Sequence, residues 1–235
     1  MNILSLVLDM MVMVIIILIT ATSIRRGLIT SIIEFMGVII SAIVSSLLAS
    51  YMSILNYNLF FKSHLMAVID NAIGQKDAVV SQQAFDALPI FVQNEFRLNG
   101  ITEENILNDS NAYSTITESV EAQAAPVIMA FITKILMVII FTVLMAMIVT
   151  LSTKLAKKLK LEEFNTLNNV LCAVFGIFKA VFIIMILIIL LNLIVMMSSA
   201  DSVKVFNQAL NDCLLFKFLY NINIPLFIIN LVTGA

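Results

Sequence analysis

Charge is scarce in this chain of 235 residues: 12% are Asp, Glu, Lys or Arg, against 61% hydrophobic. A soluble domain is about a quarter charged. A buried core does not account for such an excess, and the long uninterrupted apolar runs point to an integral membrane protein. Basic patches are lacking too. The net charge is -2 and no basic face exists, so nucleic acid is excluded as a partner. Only two cysteines occur, Cys172 and Cys213, with no CxxC and no Cys/His cluster, so no metal site is expected. His64 is the only histidine, and it reads as solvated or interfacial rather than catalytic. The motifs G-x-S-x-G, GxxxxGK[ST], HExxH and GxGxxG are all absent. These absences argue against an enzyme and leave no expected catalytic residue, cofactor or metal. The 14 methionines, among them Met10, Met11, Met13, Met196 and Met197, fall within apolar runs and read as lipid-facing or core residues rather than a copper site.

What is present is long and oily. Spanning a hydrocarbon core of about 30 Å takes about 20 helical residues at a rise of 1.5 Å. Four runs suffice: about Ile3 to Ile24, Leu28 to Ala49, Val127 to Leu151 and Ala173 to Met197. No Lys or Arg precedes the first run, so it reads as a retained span rather than a signal peptide. The expected fold is an all-α integral membrane protein with four transmembrane helices in two hairpins. Its parts are a first hairpin (1–50), an extracytoplasmic amphipathic helical insert (51–125), a second hairpin (126–198) and an amphipathic or re-entrant tail (199–235).

Orientation follows from the basic residues. Arg25 and Arg26 occupy the first short corner; Lys154, Lys157 and Lys158 lead into the second. The insert carries three basic residues against nine acidic ones. The two basic corners are therefore expected to be cytoplasmic anchors, with the insert and both termini outside. On this topology the two cysteines lie on opposite sides and cannot meet.

The insert has helical spacing. Phe61, Leu65, Val68, Ile69, Ala72 and Ile73 form an apolar stripe ending at Gly74; a second segment is interrupted by Pro89, and a third starts near Thr102. These helices either lie on the membrane surface or pack on themselves as a small subdomain. In the tail, Val203, Phe206, Leu210, Cys213 and Leu214 make another stripe. The final "IPLFIINLV" is too short to cross and reads as re-entrant or interfacial.

Within the spans two patterns carry information. Gly37, Ser41, Ser45 and Ala49 recur every four residues, a small-residue face that lets helices approach closely. Gly176 and Ala180 repeat it more loosely in the last span. The second pattern is charge. Asp9 and Lys134 lie about 8–10 Å from the outer ends of their runs, and Glu34 and Lys179 at similar depth from the inner ends. The expectation is that Asp9 pairs with Lys134 and Glu34 with Lys179, docking one hairpin on the other. Two other readings stay open. Both lysines could snorkel to the headgroups with the acids neutral or near the interface, or the charges could line an ion path.

On these residues the chain resembles the colicin V production protein family, small bacterial inner-membrane proteins with four spans. Asp9, the Arg25–Arg26–Gly27 corner, and Glu34 followed by Gly37 fall where that family has its acid, basic corner and early Glu. "LNNVLCAVFGIFKAVF" resembles the family's last span, with Gly176 and Lys179 in the expected places. The chain has Ser23 and Cys172 where the family often has Gly, and it lacks the GDSGG-type segment of relatives with an appended protease. The resemblance implies a non-enzymatic protein of the bacterial inner membrane, involved in toxin production or secretion, or in envelope processes. Its expected partners are the lipid bilayer, further copies of itself or other membrane proteins. The alternative is an oligomeric channel or transporter.

Overall fold

The structure, a computed structural model, describes residues 3–73, 85–98, 116–159 and 166–222. Every regular element among them is helical. Helix α1 (Ile3–Arg26) breaks at Gly27 and resumes as α2 (Leu28–Asn56). Gly27 has φ of +82°, a conformation that side chains resist, so one residue suffices for the corner. Without interruption α2 passes through a π-helical turn (Tyr57–Phe61) into α3 (Lys62–Ile73). Then come α4 (Ile90–Leu98), α5 (Ile116–Leu159), α6 (Thr166–Met196), α7 (Ala200–Asp212) and α8 (Leu215–Asn221).

Among the described residues, four helical stretches are long and apolar enough to cross a membrane: Ile3–Arg26, Leu28–Asn71, Val120–Leu155 and Asn168–Met196. Two exceed the sequence expectation. No Gly or Pro occurs from residue 38 to 73, so nothing stops the second helix at residue 50. Likewise α5 starts ten residues before Pro126 and carries that proline inside it. The boundaries at 50 and 125 are therefore not breaks in the chain's helices. Val120, Ala124 and Ile128 of α5 and Leu65 and Ile69 of α3 contribute to the core of the insert.

The four long apolar helices do not pack chiefly with their sequence neighbours. Helix α2 lies along α5, and α1 lies along α6; α6 also packs on α2. The physical reason is the small-residue face. Gly37, Ser41, Ser45 and Ala49, joined by Val38, Ala42, Ser46, Ser50 and Ser53, are all buried. Three of the buried serines satisfy themselves locally: Ser46 Oγ donates to Ala42 O at 2.7 Å, Ser50 Oγ to Ser46 O at 2.8 Å and Ser53 Oγ to Ser50 O at 2.8 Å. Such back-bonding lets a polar residue sit in a dry interface. One core, around Val38, Ala42, Met137, Phe141 and Ile189, joins α2, α5 and α6.

At the bundle end opposite the Gly27 corner, the insert forms its own core. Tyr57, Leu65, Ile69, Phe85, Leu88, Val92, Phe96, Val120, Ala124 and Ile128 are buried together. Of the insert's apolar stripe, Leu65 and Ile69 are buried, Val68 is half-buried and Phe61 is exposed. Helix α4 starts directly after Pro89, and Phe91 stacks on Phe131 of α5 with ring centroids 4.0 Å apart. Phe85, Leu88, Val92 and Phe96 thus share one core with residues of α3 and α5. The segment near Thr102 and the "IPLFIINLV" stretch lie outside the described residues.

Candidate functional site

The buried charges define two clusters at opposite ends of the bundle. At the corner end, Glu34 is 0% exposed. Its Oε2 accepts from Lys179 Nζ of α6, a contact of hydrogen-bond type between opposite charges. Its Oε1 accepts from Arg26 of α1 at 2.5 Å and from Ser152 Oγ of α5 at 3.3 Å. Glu34 itself is on α2. One carboxylate therefore receives donors from the three other long apolar helices. The Lys179 side chain is 8% exposed, and that of Arg26 is 41% exposed. The cluster is dry on the α6 side and opens toward the corner on the α1 side. Beside it, Ser31 Oγ donates to Ser23 O at 2.9 Å and fastens α2 to the end of α1.

Of the residues expected here, Glu34 and Lys179 come together. Arg26, expected only as a surface anchor, is also a partner of Glu34. Ser152 was not singled out by sequence reasoning. Ser152 stands one residue beyond the third apolar run as read from the sequence, where neither charge nor depth marks it. The Arg26–Glu34 contact spans only eight residues, and the Gly27 break makes it possible. Arg25 and Lys154 are exposed. Lys157 and Lys158 fall in the last turns of α5.

The expected pair of Asp9 with Lys134 does not form. Asp9 Oδ2 accepts from the Leu214 amide at 3.0 Å and Oδ1 from the Phe216 amide at 2.9 Å. It supplies, from another helix, the capping acceptor that the start of α8 lacks in its own sequence, where Leu214 stands. Lys134 Nζ instead reaches Asn192 Oδ1 at 3.5 Å and Met196 Sδ at 3.9 Å, both at the end of α6. The reason is helix order. Asp9 is on α1, whose neighbour is α6, whereas Lys134 is on α5, so matched depth alone did not make them neighbours. Asn192 Nδ2 lies 3.5 Å from the Tyr220 hydroxyl of α8. Burial, followed by the charge of Glu95, pushes the Tyr220 phenol above its ordinary value.

The insert and tail are anchored on this end by specific bonds. Asn94 of α4 is buried, and its Nδ2 donates to Met196 O at 2.9 Å and Ser198 O at 3.0 Å, closing the open end of α6. The Tyr57 hydroxyl donates to Glu121 Oε1 at 2.5 Å, and Lys62 Nζ lies 3.7 Å from the same oxygen. Thr133 Oγ1 lies 2.6 Å from Ser53 Oγ, tying α5 to α2. The tail core joins Leu8 and Val12 of α1 to Phe206, Phe216 and Leu219. Cys213 is buried there, and burial, then Asp9 and Asp212, push its thiol up. Leu214, expected on the tail's apolar stripe, is exposed because the chain leaves helical geometry at Cys213.

The small residues face partners in the same chain. A Cβ added at Gly37 would collide with the Ile148 side chain of α5. One added at Gly176 would lie 2.9 Å from Ser23 Cβ and 2.9 Å from Thr20 Cα of α1. Ala180 is fully buried. The Gly37 face is therefore occupied within one molecule. Among the described residues no group of three or more His, Cys, Asp or Glu side chains is arranged to hold a metal ion.

No family model, no curated protein and no solved structure matches the chain.

Proposed function

We propose that this is a non-enzymatic, multi-pass membrane protein of the colicin V production type, which works by assembling with other membrane proteins in toxin export or envelope processes. The observation that carries the reading is the Glu34 cluster. A carboxylate that accepts from α1, α5 and α6 at once is neutralised and held in place, as suits a residue that locks a bundle. A carrier's charged residue must instead exchange partners during transport. The Gly27 corner with its exposed Arg25 suits a cytoplasmic loop of the bacterial inner membrane, with the insert and tail on the outer side.

The test is reconstitution beside co-purification. Purified protein in liposomes should conduct neither ions nor small solutes, and a defined membrane protein should co-purify from native membrane in stable proportion. Flux that disappears in Glu34→Gln or Lys179→Met would replace this reading with the transporter.

A further inference from the structure

The π-helical turn Tyr57–Phe61 presents an apolar surface that the bundle does not use. Eight residues of regular α-helix rotate through about 800°, some 80° past two full turns. A wide turn holds more residues per revolution and removes that excess. Tyr57 and Leu65 can thus both face the insert's core, where both are buried. Between them, residues 58 to 64 are all exposed. Leu59 is 69% exposed, Phe60 67% and Phe61 45%, and Lys62 and His64 follow at once.

This surface continues the outward face of α2. Ile43, Leu47, Tyr51, Leu55 and Leu59 are exposed at every fourth position, an unbroken apolar row up to the turn. Phe60 lies 33 residues beyond Gly27, about 50 Å along the helix at 1.5 Å per residue. A bilayer with its headgroup layers is about 40–45 Å thick. With the Arg25–Arg26 corner in one headgroup layer, a tilt of about 30°, within the ordinary range, brings Phe60 into the opposite one. Aromatic and aliphatic side chains followed immediately by Lys62 and His64 match that layer's change from apolar to polar.

We propose that Leu59, Phe60 and Phe61 form an anchor in the outer headgroup–acyl boundary, and that the wide turn exists to present it while the insert packs on the opposite face. The occupant is the lipid surface. The inference rests on the reading of this chain as membrane-spanning, and the experiment separates the two.

The chain has no tryptophan, so one introduced indole reports alone. Phe60→Trp and, as the mid-span reference, Val14→Trp on the exposed face of α1 are each reconstituted in phosphatidylcholine vesicles brominated either near the headgroup or near the chain ends. Phe60→Trp should be quenched more strongly by the shallow bromines, and Val14→Trp by the deep ones. If Val14→Trp is quenched and Phe60→Trp is not, the anchor is wrong. Acrylamide quenching then assigns Phe60 to water, and protection from acrylamide assigns it to a second copy of the chain. Stronger quenching of Phe60→Trp by deep bromines also overturns the anchor, by placing the turn inside the hydrocarbon. Absence of quenching in both variants removes the membrane reading itself. Leu59→Trp repeats the measurement should Phe60→Trp fail to fold.

Discussion

At the scale of the residue, Glu34 is where a single change should cost most. Removing one member of a buried ion pair leaves an uncompensated charge, at a cost of about 3–5 kcal/mol. Lys179→Met should approach that loss in detergent-micelle unfolding, because Glu34 would keep only Arg26 and Ser152 as donors. The double variant Glu34→Met with Lys179→Met removes the stranded carboxylate and should be more stable than Lys179→Met alone. A double variant that is equally or more damaged would refute the assignment. Exchanging the two charges should restore the link from α2 to α6 but set a lysine beside Arg26, giving stability between the wild type and Lys179→Met. The pairing of Glu34 with Lys179 was legible as matched depth and opposite sign. Arg26 and Ser152 were not, since an arginine at a corner already had a sufficient explanation and a serine carries no charge to match.

At the scale of the element, glycine positions and caps decide which helices touch. Gly37→Ala should destabilise by about 1–3 kcal/mol through overpacking against Ile148. Adding Ile148→Ala should recover part of the loss, which thermal unfolding of the three variants would reveal. Gly176→Ala meets the backbone of α1 at Thr20, so trimming a side chain there should not rescue it. In the tail, Asp9→Ala removes the only side-chain acceptor described at the start of α8. A lost cap costs about 1 kcal/mol, within a range of 0.5–2. Amide exchange at Leu214 and Phe216 should quicken while that of α5 stays as it was; unchanged tail exchange would argue against the capping role. The small-residue period in α2 was readable from its spacing, because close approach in lipid needs such residues. Which helix fills the face was not, because α5 and α6 both have apolar surfaces able to take it.

At the scale of the whole molecule, polar contacts at the end of α6 add to the apolar cores that dock the insert and the tail. Asn94→Ala leaves the carbonyls of Met196 and Ser198 without their donor, at a cost of about 1–3 kcal/mol for buried groups. It should raise exchange across α4 and lower the melting temperature without loosening the Glu34 cluster. Equal loosening at both ends would mean that insert and bundle unfold as one unit. Composition and run length alone determined the all-helical class, the four long apolar helices and the charge-free stretches between their few buried ions, because crossing hydrocarbon demands length and apolarity wherever the neighbours lie. Three matters belonged to the tertiary structure. The second and third long helices run past the apolar runs: the second meets no Gly or Pro between residues 38 and 73, and the third carries Pro126 inside it. Helix α1 settles on α6 and α2 on α5, since packing depends on the shape of whole faces. Asp9 is drawn to the amides of α8 and away from Lys134, since equal depth along a chain says nothing about which helix stands alongside.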